Sequence, residues 1–160
     1  MLRLSAYMGI VERMFTGEHA HSIDDKGRLT IPARFRAALA EGCYISRGFG
    51  HINHLLIYAK ADFEAVAAKA DKFSLTDPKS LDLWLWFYGQ ALEDVPDGQG
   101  RIMVPQFLRE HAGLNGEVRI VGIGRYIAVW SGAAWAEKQK DLNDPAKTAE
   151  RFASLDLSTG

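Results

Sequence analysis

The sequence lacks the features that mark several large classes of protein. Its 160 residues include a single cysteine, Cys43, which excludes an intramolecular disulfide framework and a multi-cysteine zinc site. No apolar run approaches the ~18 residues that a membrane-spanning helix needs. Neither charge sign is in excess, because the sequence has 19 Lys and Arg residues and 20 Asp and Glu residues. This balance excludes a strongly basic protein that coats nucleic acid.

The common catalytic motifs are missing as well. The sequence has no phosphate-binding loop, no dinucleotide glycine motif after a strand, no serine or cysteine nucleophile motif and no metal-ligand cluster. We therefore predict that the protein is not an enzyme, and that it needs neither a metal ion nor another cofactor.

What the composition does provide is enough apolar material for a folded core. With 48% hydrophobic and 24% charged residues, the chain is not a disordered one. Its length favours one domain, or two small ones packed together. Residues 1–13 are too short and too weakly apolar for a signal peptide. We expect a soluble, cytoplasmic protein of a reducing compartment, without membrane association.

The chain contains an internal repeat. The 13 residues from Asp24 to Arg36 (DDKGRLTIPARFR) recur 73 positions later, from Asp97 to Arg109 (DGQGRIMVPQFLR), with five identical positions. Three further positions keep their apolar character. The order downstream also repeats, because in each half a helix-like segment, a glycine and two apolar runs follow the proline. Such self-similarity predicts two copies of one structural unit.

Each copy has the local signals of a β-rich unit. An Asp-x-x-Gly sequence before a β-rich run is typical of a turn in which the glycine, here Gly27 or Gly100, supplies a positive φ. The alternating residues that follow indicate a half-buried strand. Pro32 and Pro105 suit the first position of a short helix. Each half is predicted to run strand, turn, strand, short helix, strand, strand, helix, and the halves bury their inner faces together because neither has much core.

These signals predict an α+β fold of two tandem β-rich units related by a pseudo-two-fold axis. The predicted parts are an N-terminal extension at 1–13, a first unit at 18–62, a helical connector at 63–90, a second unit at 91–134 and a C-terminal helical segment at 135–160. In the connector, residues 81–88 alternate in part, which favours a strand, but Asp77-Pro78 and Gly89 are good helix boundaries. We favour a helix from about 78 to 88, largely buried because it is apolar nearly all round.

Basic residues are concentrated around the repeated motif. Residues 1–59 carry seven basic and five acidic residues, and residues 98–136 carry four and two. Residues 60–97 carry four basic and eight acidic residues. Both motif-bearing regions are thus positively charged and are separated by an acidic connector. This distribution indicates a polyanion-binding face on an otherwise neutral protein.

The repeated motif resembles that of the MraZ family, bacterial transcriptional regulators associated with division and cell-wall gene clusters. The resemblance begins at the segment Met14-Phe15-Thr16-Gly17, runs through both Asp-x-x-Gly-Arg motifs to the segment 108–114, and continues to Trp130 and Trp135. It covers nearly everything from residue 14 to about 140, and residues 1–13 precede the family's usual start. The duplicated motif at this separation is specific, whereas one copy alone would not be.

The resemblance implies both a fold and a partner. It implies two AbrB-like units in one chain, assembly of chains into a homo-oligomeric ring, and binding to double-stranded DNA at short G-containing direct repeats near a promoter. The implied function is repression of the protein's own division and cell-wall operon by occlusion of polymerase, with localisation at the nucleoid. The alternative is an antitoxin-type protein-interaction module with the same AbrB-like fold.

The resemblance assigns DNA contacts to Arg28 and Arg101. A guanidinium at such a position can bind O6 and N7 of guanine together. The alternative is structural pairing with Asp24 or Asp97, which lie four residues earlier in each copy. Together with the turn glycines, these aspartates are expected to shape the turns and to orient the arginines.

Other basic residues of the motif have less definite roles. Lys26 is expected to contact a phosphate in the first copy only, because the second copy has Gln99; the alternative is a solvated lysine. Arg36 and Arg109 repeat on the short helices and could pair with carboxylates across the unit or between subunits. The sequence leaves the role of Arg34 open.

The remaining candidate residues favour structural roles. His19 and His21 lie two apart on a predicted strand and share a face, but no third residue has a spacing that would complete a metal site. Cys43 is expected to be a buried, inert thiol. The aromatic cluster at Trp84, Trp86 and Phe87 is expected to fill the core rather than to stack on bases.

Overall fold

In the computed structural model, which describes residues 14–159, the chain forms an α+β structure of eight antiparallel strands and six short helices. The strands are β1 (Glu18–Ile23), β2 (Arg28–Thr30), β3 (Cys43–Arg47), β4 (Leu55–Ala59), β5 (Leu92–Asp94), β6 (Arg101–Met103), β7 (Gly116–Ile123) and β8 (Tyr126–Ser131). The helices are α1 (Ala33–Arg36), α2 (Lys60–Ala70), α3 (Pro78–Phe87), α4 (Gln106–Ala112), α5 (Gly132–Leu142) and α6 (Pro145–Phe152), and a 3₁₀ turn at Ala37–Leu39 follows α1.

The strands of the two repeats interleave in one sheet. Their order is β5-β3-β4-β8-β7-β1-β2-β6. Every strand of the first repeat pairs with a strand of the second, as β1 with β7, β2 with β6, β3 with β5 and β4 with β8. The predicted class of tandem β-rich units is confirmed, and the strand order adds that the units share their sheet. The predicted boundaries between them remain predictions.

One core serves both repeats. Its fully buried side chains come from equivalent positions in the two copies, with Leu29, Ile31, Phe35 and Leu39 from the first and Ile102, Val104 and Leu108 from the second. The expectation that the halves bury their inner faces together is therefore confirmed. Each half contributes too few apolar residues to form a core of its own.

The predicted helix boundaries are largely correct. Pro32 and Pro105 each lie one position before the predicted one, at the N-cap of α1 and α4. The connector forms a helix and not a strand, because Asp77 caps α3 by accepting a hydrogen bond from Lys79 N at 3.0 Å. Gly113 ends α4 in the left-handed conformation, with φ of 64°.

The prediction that the connector helix is largely buried is wrong. Within α3 only Ser80 and Phe87 are buried, whereas Leu81 and Leu85 are 43% and 62% exposed. The helix packs through one side on the outer face of the sheet, where Phe87 stacks on Phe63 of α2 with ring centroids 5.1 Å apart. Among the described residues, no second layer covers the opposite side of α3. Leu81 and Leu85 on that side are therefore exposed to solvent, although the helix is apolar nearly all round.

Of the two C-terminal helices, α5 packs on the sheet and α6 packs on α5. Trp135 of α5 donates its indole N–H to Glu18 of β1 at 2.7 Å. Asp141 at the end of α5 accepts two hydrogen bonds from Arg151 of α6, both 2.7 Å long. No helix within residues 14–159 has both the length and the apolar character to cross a membrane. The predicted extension at 1–13 lies outside the described residues.

Candidate nucleic-acid interface

The first repeated turn holds Arg28 by a network of bonds to Asp24. One carboxylate oxygen, Oδ1, accepts the backbone N–H groups of Lys26 at 3.0 Å and Arg28 at 2.8 Å. The other oxygen, Oδ2, accepts Nε–H of Arg28 at 2.6 Å. Gly27 N donates to Asp24 O at 3.0 Å and closes the turn. A single side chain thus fixes both the turn and the direction of the guanidinium.

The second turn repeats this geometry bond for bond. Asp97 Oδ1 accepts the backbone N–H groups of Gln99 and Arg101, both at 2.9 Å. Asp97 Oδ2 accepts Nε–H of Arg101 at 2.9 Å, and Gly100 N donates to Asp97 O at 2.9 Å. The structural pairing that the sequence offered as an alternative is therefore present in both copies. It leaves the terminal Nη groups of both arginines without hydrogen bonds within residues 14–159.

These hydrogen bonds keep the two aspartates ionised. Backbone hydrogen bonds from Arg28 and from Arg101, more than any other contact, lower the pKa of Asp24 and Asp97 below the ordinary aspartate value. The negative charge of each carboxylate is directed at its own turn and at the adjacent Nε. Each arginine is thus oriented by Nε and still presents the two terminal amino groups that a bidentate contact requires.

The sheet brings the two arginines, 73 residues apart in sequence, onto one face. Strands β2 and β6 pair antiparallel, with Arg28 opposite Met103 and Thr30 opposite Arg101. The intervening Leu29 is buried in the core, so its strand neighbours point outward. Diagonal partners in such a ladder lie about 7–8 Å apart. Arg28 and Arg101 side chains keep 37% and 28% of their surface exposed.

Glycine is required in both turns for two reasons. Gly27 and Gly100 have φ of 89° and 73°, which other residues rarely adopt. The atoms around both glycines also leave no space for a side chain. A Cβ on Gly27 would lie 2.6 Å from Val104 O and 3.0 Å from Nε of Arg109. A Cβ on Gly100 would overlap the guanidinium of Arg36.

Within residues 14–159 of the chain, neither helix arginine pairs with a carboxylate, and the predicted alternative of pairing between subunits stays a prediction. Arg36 donates its Nε–H to Ile31 O at 2.9 Å. Arg109 reaches Asp25 O with Nη1 at 3.5 Å, and its buried Nε has no hydrogen-bond partner in the described part of the chain. Because Arg36 packs on Gly100 and Arg109 on Gly27, each repeat supports the turn of the other.

The other predicted candidates occupy different places. Lys26 is exposed at the tip of the first turn, next to Arg28, and Arg34 is exposed on α1. His19 and His21 are half-buried on β1, and no group of three or more His, Cys, Asp or Glu within residues 14–159 could hold a metal ion. Cys43 is 1% exposed, and burial raises the pKa of its thiol to about 12.

Two outward positions of the β2–β6 ladder escaped the sequence analysis. Thr30 and Met103 lie on the same face as the arginines, and Met103 is 46% exposed. The alternation of buried and exposed residues after each motif arginine was a signal that could have identified them. What the sequence alone did not contain was the pairing of β2 with β6, which turns four separate positions into one surface.

The fold and this surface define a class of protein with two tandem, equivalent β-rich units. Each unit contributes one strand and one turn arginine to the two-stranded ribbon of β2 and β6, the β2–β6 ribbon. A model of the family described as "MraZ protein, putative antitoxin-like" matches residues 14–83 and 87–155. The chain belongs to the MraZ family.

Several similar proteins are named transcriptional regulator MraZ. The transcriptional regulator MraZ of Desulfitobacterium hafniense (strain Y51) is 36% identical over 145 residues, which cover 90% of this chain and 100% of the relative. That of Roseiflexus castenholzii is 40% identical over 143 residues, covering 89% and 99%. That of Dictyoglomus thermophilum is 39% identical over 130 residues, covering 81% and 88%. These relatives are named as regulators and not as enzymes.

Proposed function

We propose that the protein is a sequence-specific DNA-binding transcriptional regulator that binds guanines with Arg28 and Arg101. The observation that carries the proposal is the pair of aspartate-oriented guanidinium groups on one outward face of the β2–β6 ribbon. A two-stranded ribbon fits the major groove, and a bidentate arginine to guanine is the commonest specific contact there. The relatives' name as transcriptional regulators supports the same function.

Lys26 would add a phosphate contact in the first copy. Its side chain is exposed at the tip of the turn that carries Arg28, and the equivalent position in the second copy is Gln99. A phosphate contact adds affinity without sequence preference. The two turns would therefore bind DNA with unequal affinity.

A nearly neutral protein needs several sites to bind DNA well. We propose that chains assemble into a ring and that its subunits engage short direct repeats upstream of the promoter of their own division and cell-wall operon. Several weak contacts on one DNA molecule strengthen one another through effective concentration. A ring across these repeats would exclude polymerase and repress transcription, and the protein would be found at the nucleoid.

Fluorescence anisotropy with the DNA upstream of the gene tests the proposal. The arms are the upstream duplex and a scrambled duplex, at low and at physiological salt, with wild type and the double variant Arg28→Ala, Arg101→Ala. We expect wild type to prefer the upstream duplex and the variant to lose about 1–3 kcal/mol per guanine contact. Arg125→Ala removes an exposed arginine outside the motif and serves as the matched control.

The contrary outcome would favour a different class of function. If the double variant binds both duplexes as wild type does, the turn arginines do not read DNA. The exposed Leu81 and Leu85 on α3 then support the antitoxin-type interaction module, because an uncovered apolar side of a helix is a common protein-binding surface. Co-purification of a second polypeptide, lost in a Leu81→Ser, Leu85→Ser variant, would identify that function.

A further inference from the structure

The outward face of the β2–β6 ribbon carries two residues besides the arginines. Thr30 lies directly opposite Arg101, and Met103 lies directly opposite Arg28. The pseudo-two-fold relation between the repeats exchanges these two pairs, so Thr30 and Met103 occupy equivalent places. They differ in chemistry, because one carries a hydroxyl and a methyl group and the other a longer, wholly apolar thioether.

Met103 is exposed although it is apolar. Its relative exposure is 46%, whereas its neighbours Ile102 and Val104 are 1% and 0% exposed in the core. Its backbone is fixed from both sides, because it pairs with Arg28 across the ladder and its N–H donates to Asp94 Oδ2 at 2.7 Å. The backbone of Met103 is therefore held at a defined place, directly opposite Arg28 on the outward face.

The spacing of the ladder suits adjacent base pairs. Residues directly opposite each other in an antiparallel pair have Cβ atoms about 4.5–5.5 Å apart. Successive bases on one DNA strand are about 3.4 Å apart. If Arg28 binds a guanine, the side chain opposite it reaches the neighbouring base pair. The apolar group that the major groove offers there is the C5-methyl of thymine.

We propose that Met103 is a specificity-determining residue that contacts the methyl group of a thymine adjacent to the guanine bound by Arg28. This inference rests on the proposed DNA-binding function. Thr30 has the equivalent place beside Arg101, and its side chain accepts more than one base because it can contact a methyl group or form a hydrogen bond. The thymine requirement therefore applies beside one of the two arginines only.

The test replaces each thymine of the upstream duplex, one at a time, by deoxyuridine, which lacks only the C5-methyl group. Loss of one buried methyl contact corresponds to about fourfold weaker binding. We expect this loss at one thymine next to a guanine for wild type. Met103→Ser removes the apolar thioether without supplying a methyl group and should bind the thymine and deoxyuridine duplexes equally, whereas Thr30→Met should create a second sensitive thymine.

The outcomes separate this inference from the function on which it rests. If wild type prefers the upstream duplex over the scrambled one but tolerates every deoxyuridine, Met103 does not read thymine and the regulator proposal stands. If Met103→Ser keeps the wild-type ratio at the sensitive position, another residue contacts the methyl group and the assignment is wrong. If wild type does not distinguish the upstream from the scrambled duplex, the DNA-binding proposal itself fails. Thermal unfolding of both variants establishes that they are folded.

Discussion

Arg36 of the first repeat packs its guanidinium against Gly100, the turn glycine of the second repeat, and donates a hydrogen bond to Ile31 O at 2.9 Å. Arg109 of the second repeat packs in the same way against Gly27 of the first. Backbone bonds run beside these contacts, from Ile31 N to Gly100 O at 2.8 Å and from Val104 N to Gly27 O at 2.7 Å. The position of each candidate DNA-binding turn therefore depends on the other half of the chain.

This packing predicts that alanine at the turn glycines destabilises the fold unequally. Both positions have positive φ, so each substitution should cost about 1 kcal/mol or more. Gly27→Ala should cost more than Gly100→Ala, because its Cβ would meet the backbone oxygen of Val104, whereas Arg36 is a side chain that can move. Urea unfolding measures the difference.

Gly98→Ala is the matched control for these glycine variants. An added Cβ at this turn position has no heavy atom within 4 Å. Its stability should stay within about 0.5 kcal/mol of wild type. Equal losses at all three glycines would contradict the close packing of the helix arginines on the turns.

The difference between Lys26 and Gln99 predicts an asymmetry in salt dependence. Lys26→Ala should weaken binding to every duplex and reduce the slope of log affinity against log salt by roughly one, since one phosphate contact is lost. Gln99→Lys should increase that slope by roughly one, whereas Gln99→Ala should leave it unchanged. Anisotropy titrations over a salt series measure these slopes. An unchanged slope for Lys26→Ala would indicate that Lys26 is solvated and contacts no phosphate.

The turn aspartates predict a specific pH dependence of stability. The pKa of Asp24 and of Asp97 is lowered in the folded state, chiefly by backbone hydrogen bonds. Their contribution is thus fully present above the unfolded pKa, about 3.9, and is lost as pH falls through the lower folded pKa. In the Asp24→Asn, Asp97→Asn variant, stability should be lower at pH 7 and approach that of wild type below about pH 4.

Urea unfolding from pH 7 to pH 3 tests this sign. Asp82→Asn is a suitable control, because Asp82 is an exposed aspartate on α3 outside the turns. Stability curves of the double variant and wild type that stay parallel throughout this range would indicate that the carboxylate charges do not stabilise the turns.

The bond between Asp141 and Arg151 predicts local opening of the C-terminal helix. Arg151 holds α6 against the end of α5 through two 2.7 Å bonds and lowers the pKa of Asp141. No residue of α6 is buried, so few apolar contacts would replace this link. Asp141→Asn should therefore speed amide hydrogen exchange in α6 and leave the core strands unchanged. Glu150→Gln, which neutralises an exposed charge on the same helix, should leave exchange as in wild type.

Much of the local structure could be predicted from the sequence, because its causes are local. Turn glycines need positive φ, alternating apolar residues need one buried face, and the Asp77 cap followed by Pro78 is a local signal for the start of a helix. The candidate arginines come from the resemblance of the duplicated motif to that of the MraZ family. The exposure of Leu85 was not predictable, because composition does not determine how many layers cover a helix.

The sequence by itself determined that two equivalent units exist and that each presents an arginine after an Asp-x-x-Gly turn. Only the tertiary structure decided that β2 pairs with β6, which places Arg28, Arg101 and Met103 on one surface. Strand pairing between distant segments depends on how both halves bury their apolar faces together, and periodicity within one segment carries no information about its partner. For the same reason, the packing of Arg36 on Gly100 could be found only in the folded chain.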